Sequence, residues 1–169
     1  MKKLIFILLV MAFACEPAKK VEKEIVLRED LGGYVFYVSP DGEHGLVAAT
    51  QDQSTGSNWN DAFGLVNNNA NHDVAGANFT DWRLPTKDEL NMMYLKKDEI
   101  GGFANNNYWS SALFATPIVG ERSLLPKTNP LKIHTLIPGQ TEAWVQYFGN
   151  GAQNSVNAGF YSIRAVRAF

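Results

Sequence analysis

The chain holds one cysteine, three histidines and no excess of basic charge, and each scarcity removes a class of function. The single cysteine, Cys15, has no internal partner for a disulfide and leaves no thiol pair for a redox centre. The histidines, His44, His72 and His134, stand far apart, and no Gly-x-Ser-x-Gly turn occurs, so neither a zinc set nor a nucleophile elbow is spelled out. His72, beside Asp73 in a polar stretch, reads as a solvated loop residue. Fifteen Lys and Arg against 17 Asp and Glu give a net charge of −2, which lacks the basic footprint of a nucleic-acid binder. The longest apolar run, Leu4 to Ala14, has 11 residues. A membrane-crossing helix needs about twenty.

That short run, preceded by Lys2 and Lys3, has the form of an export signal. It ends at Ala-Phe-Ala-Cys, which resembles a bacterial lipobox and makes Cys15 the expected site of lipidation, with more than one acyl chain needed for stable anchoring. The expected organisation is a signal peptide over residues 1–14, a lipidated cysteine with a charged tether over 15–31, and one domain over 32–169. At 169 residues and 46% hydrophobic, the chain is long enough to bury one core. Fourteen glycines and seven prolines point to many turns rather than long helices.

Within the domain, YVFYV, the turn SPDG and GLVAAT read as a β-hairpin. Trp59, Ala62, Phe63 and Val66 share one helical face, with Ser57 as the expected cap. Thr86-x-x-Glu89 matches a capping box, and Leu90, Met93 and Tyr94 continue the apolar face to Lys96 and Lys97, which suit the negative end of the helix dipole. Pro85 ends the preceding strand, and Asp81 and Arg83 are placed to pair across the corner. NNNYWSSA is expected as a core strand, AWVQYFGNGAQNSVN as a second hairpin turning at Asn150-Gly151, and SIRAVRAF as one closing strand. Between them, residues 116–140 carry four prolines and form a long excursion with one edge-strand pattern, LKIHTLI.

Taken in order, GGYVFYVSPDGEHGLVAA, DWRLPTKDEL, NNNYWSS, AWVQYF and SIRAVR resemble the bacterial domain family named for the C-terminal domain of the Legionella collagen-like protein. The resemblance covers residues 32–169 and implies an α+β fold of C-type-lectin-like type, antiparallel sheets with two short helices, in an exported or surface protein. Some members of that family are linked to adhesion and glycan binding. The chain departs from the common pattern in its long proline-rich excursion.

The motif residues Asp81, Trp82, Arg83, Leu84, Pro85, Glu89, Leu90, Tyr108, Trp109, Ser110, Ser111, Arg164 and Arg167 are expected to be framework: indoles filling the core, guanidinium groups satisfying turn carbonyls and Asp81. Trp59-Asn60-Asp61 has the letters of a lectin calcium run but lies on an expected helix without a partner loop, far short of the six to eight oxygens calcium takes. No metal, cofactor or catalytic residue is expected, and no nucleic acid among the partners. The expected function is non-catalytic recognition of a glycan or an envelope or matrix protein from a lipid-anchored position in the bacterial cell envelope. The candidate contacts are Arg122, Lys127, Lys132 and His134 of the excursion and Trp144, whose strand face (Trp144, Gln146, Phe148) or its reverse (Val145, Tyr147) could stack a sugar. The alternative is a structural or assembly component of a surface apparatus with no small ligand.

Overall fold

The alternation of aromatic and β-branched residues in GYVFYV, closed by the SPDG turn, produces the hairpin on which the first sheet is built. The computed structural model describes residues 25–114 and 142–169. Cys15, the excursion residues Arg122, Lys127, Lys132 and His134, and the LKIHTLI strand lie outside the described residues. In chain order the described residues form β1 (Val26–Arg28), β2 (Gly33–Val38), β3 (Gly45–Ala48), β4 (Ser54–Ser57), α1 (Trp59–Val66), α2 (Lys87–Leu95), the single turn α3 (Lys97–Ile100), β5 (Asn107–Phe114), β6 (Glu142–Tyr147), β7 (Gln153–Val156), β8 (Tyr161–Ile163) and β9 (Val166–Ala168). One sheet has the order β1-β2-β3-β9 and is antiparallel throughout. The other has the order β4-β8-β5-β6-β7 and is antiparallel except where β5 meets β8 in parallel at Tyr108 and Ser162.

Several local expectations need correction. The ladder starts at Val26, inside the stretch assigned to the tether, because Val26 to Arg28 pair with Gly33 to Val35 and Arg28 is pinned by Asp30. The cap of α1 is Asn58, whose side chain accepts from the Asp61 amide, while the Ser57 hydroxyl donates to the Asn58 carbonyl. Thr86 and Glu89 form the full reciprocal capping box of α2. That helix ends at Leu95, so Lys96 is its C-cap and Lys97 opens α3, sending its ammonium to the Phe148 carbonyl at 2.8 Å. SIRAVRAF makes two strands in two sheets: the backbone leaves β8 at Ile163 and enters β9 at Val166, with Arg164 and Ala165 buried in the crossing. The second hairpin turns through Gly151 at φ 81°, and a Cβ there would lie 2.4 Å from the Tyr94 ring.

The core has two clusters, and neighbouring strand residues feed opposite ones. Val47, Trp82, Leu84, Trp109, Val145 and Ile163 belong to the first; Phe36, Leu90, Met93, Tyr108, Phe148 and Val166 to the second. Period-two alternation therefore sends Tyr108 and Trp109 to different interiors. The same geometry corrects the β6 expectation: Val145 is buried in one cluster and Phe148 in the other, so apolar contacts cover both faces of this strand.

Candidate functional site

Two guanidinium groups, those of Arg164 and Arg167, join elements that are remote in sequence, and a third, that of Arg83, closes a local joint. Arg164, between β8 and β9 and 0% exposed, donates from Nε to Asp52 Oδ1 (2.7 Å), from one terminal nitrogen to the Ala49 carbonyl (3.1 Å) and from the other to the Gly102 carbonyl (2.6 Å). Its planar fork also lies 4.1 Å above the Phe103 ring. The other Asp52 oxygen accepts from the Tyr108 hydroxyl at 2.8 Å, and that hydroxyl accepts from the Ala104 amide. Burial, with the Asp52 carboxylate beside it, pushes the Tyr108 phenol well above its ordinary value of 10.0.

Arg167, on β9, donates to Asp81 (2.8 Å) and to the Leu31 carbonyl, and its guanidinium lies 3.9 Å over the Phe79 ring. Arg83, beside β9 through its bridge to Val166, makes a two-pronged pair with Glu89, both bonds 2.7 Å. The Asp81–Arg83 pairing expected from adjacency does not form. Backbone pairing of Arg83 with Val166 points the two side chains to different partners, one into the α2 cap and one to Arg167. At Glu89, burial would raise the carboxyl, but the Arg83 guanidinium and the Thr86 donors outweigh it and hold the group below its usual 4.5.

The tryptophans close these joints. Trp82 and Trp109 are 2% and 1% exposed, and each indole N–H is spent on a carbonyl, Gly76 for Trp82 (2.8 Å) and Ser57 for Trp109 (2.7 Å). Trp59 is half-buried and donates to the Ser110 carbonyl at 2.8 Å, so its neighbours Asn60 and Asp61 sit on an exposed helix face. Ser111 donates from both its amide and its hydroxyl to the Pro85 carbonyl, fastening β5 to the start of α2. Leu84, Pro85 and Leu90 are buried, and Ser110 is fully buried. His72 is not solvated: it is buried, stacked on Trp82 at 4.8 Å, with Nε2 donating to the Val66 carbonyl and Nδ1 facing no partner. The aromatic stack and the Val66 carbonyl draw it inward despite its polar sequence neighbours.

Among the sequence-chosen contact residues only Trp144 is described. It is half-buried near the N-terminal end of β6, with the Lys87 ammonium 3.4 Å from its ring centre and Phe114 against its edge. One ring face is thus already in a cation–π contact. Gln146, on the same strand, is fully buried and binds Asn91, Gly151 and Gln153, which tie β6 to α2 and β7. Asp41, Glu43 and His44 are exposed and bring ligand atoms within 4.8 Å of one another, but Asp41 already accepts from Ser39 and from the Glu43 amide. Sequence reasoning missed Asp52, Lys87, Asn91 and Gln153, each of which has a partner more than fifty positions away.

Two sheets, one antiparallel and one mixed, with short helices and an internal lattice of indole and guanidinium contacts, define an α+β domain of the C-type-lectin-like class. Within that class the chain belongs to the Lcl C-terminal domain family, whose model matches residues 38–167. It is a bacterial surface-associated family of largely unknown function. Comparison with curated proteins found no match.

Proposed function

We propose that the chain is an exported, lipid-anchored recognition module of the bacterial cell envelope that binds a glycan or an envelope protein without chemical turnover. One observation supports this most: Arg164, Arg167, Trp82 and Trp109 direct their donors inward, to Asp52, Asp81 and main-chain carbonyls. Groups that could have converged on a substrate are spent on holding loops together. Recognition then falls to surface elements, with the locally basic excursion carrying Arg122, Lys127, Lys132 and His134 and with Trp144 on the strand that follows it in sequence. Cys15 would supply the anchor.

The test uses the full chain in detergent, applied to a glycan array and to envelope extracts, beside a chain shortened within residues 116–140. Glycan binding lost on shortening supports the proposal. Retention of envelope proteins with no glycan signal favours the assembly role, and a metal-dependent turnover abolished by a histidine substitution would refute both readings.

A further inference from the structure

We infer that the β1 side of β2 is a docking edge for an extended, acidic segment of a partner protein, which would add a short strand to the first sheet. The pairing of β1 with β2 stops at Val26 opposite Val35, yet β2 runs on to Val38. On its other side β2 stays paired, Tyr37 with Leu46 and Val38 with Gly45. Phe36 sits at a bulge in the β2–β3 register, Tyr37 and Val38 pair with β3, and from Phe36 to Val38 β2 has, among the described residues, no strand on its β1 side. Ile25, next in line to face Phe36, lies outside the ladder with its side chain against the second core cluster.

A groove of about 770 Å3 lies at this place, within the few-hundred to one-thousand Å3 range of binding clefts. Val26, Val35, Tyr37, Met92 and Phe169 give it apolar walls, and Val26 and Tyr37 are 49% and 42% exposed. Among the described residues its lining includes two cations and no acidic residue. Arg28 is committed to Asp30, whereas the Lys96 ammonium has no partner among the described residues. An open strand edge offers main-chain donors and acceptors in a two-residue rhythm that another backbone satisfies and a lipid chain does not. Apolar walls accept alternate side chains of such a strand, and Lys96 selects a carboxylate among them. None of the residues assigned to recognition above takes part here, so this site holds or fails independently of that reading.

The probes are two blocked hexapeptides, acetyl-Val-Glu-Val-Glu-Val-Thr-amide and its counterpart with lysine in place of glutamate, added to the full chain in detergent. The first readout is amide hydrogen exchange. The glutamate peptide should slow, at least tenfold, those amides between residues 36 and 38 that β3 does not engage. The second is affinity: Lys96→Glu should weaken the glutamate peptide about tenfold and strengthen the lysine peptide. Three results would overturn the inference: no added protection at 36–38, an affinity indifferent to Lys96→Glu, or full protection without peptide, which would mean the chain's own upstream residues fill the edge. Palmitate binding in the groove without amide protection would count against it equally.

Discussion

Replacing Arg164 by Met removes the guanidinium while keeping an unbranched apolar stem of similar reach. Four consequences follow from the contacts. Asp52, its side chain 11% exposed, keeps only the Tyr108 hydroxyl as a donor; the Ala49 carbonyl, on a residue 2% exposed, loses its Arg164 bond; and the Gly101 and Gly102 carbonyls lose theirs nearer the surface, where water can replace them. A buried acceptor left unmade costs about 1–3 kcal/mol, and breaking a buried ion pair about 3–5 kcal/mol, so the whole change should cost about 4 kcal/mol. That is a large share of the roughly 5–15 kcal/mol that holds a domain folded. Urea unfolding followed by tryptophan fluorescence reads it directly. With a slope of roughly 2 kcal/mol per molar, the midpoint should fall by about 2 M at unchanged slope. Arg164→Lys, which keeps the charge but not the fork, should fall between. Asp52→Asn should lose less than Arg164→Met, and the double variant should show a coupling of about 1 kcal/mol or more. A midpoint drop below about 0.3 M for Arg164→Met, or strictly additive losses with Asp52→Asn, would show that this lattice does not hold the sheets together.

Three further outcomes are expected. Thr86→Ala should cost about 1 kcal/mol through the lost cap of α2. Because the folded carboxyl of Glu89 lies below its ordinary value, its stabilisation is present above pH 4.5 and lost as pH falls through the folded value; Glu89→Gln should flatten the acid limb of stability against pH. Tyr108 has the opposite sign: its raised phenol contributes fully below pH 10.0 and is lost as pH rises towards the folded value, so Tyr108→Phe should flatten the alkaline limb while costing about 1–3 kcal/mol at neutral pH.

Short-range structure was legible because short-range chemistry decides it. The Thr86–Glu89 box, the helix α1 with its buried Ala62 and Val66, the SPDG and Asn150-Gly151 turns and the β5 strand are each written within about ten residues, although Phe63, expected on the same α1 face, is 38% exposed. The misreadings lie where a partner is remote. Asp81 looked like the partner of Arg83 because it is two residues away, but β9 brings Arg167 to it from 86 positions along the chain. SIRAVRAF reads as one strand by composition; only the presence of Asp52 and the carbonyls around Arg164 shows why the chain breaks there. His72 looked solvated because polarity of neighbours says nothing about a tryptophan ten residues on that stacks against it. Of the candidate recognition residues, Trp144 was placed on the right strand, yet its Lys87 contact joins β6 to α2 across 57 positions, beyond any local pattern.

Indole N–H hydrogen exchange of the native chain, resolved by NMR, tests most directly whether these conspicuous side chains are framework. Trp82 and Trp109 are buried with their N–H groups on carbonyls, so they should exchange only through global unfolding, at rates that track the unfolding free energy across urea concentrations. Trp144, with no acceptor for its indole N–H among the described residues, should exchange orders of magnitude faster. Exchange of Trp82 or Trp109 as fast as that of Trp144, insensitive to urea below the unfolding transition, would place them in an open cleft and contradict the account.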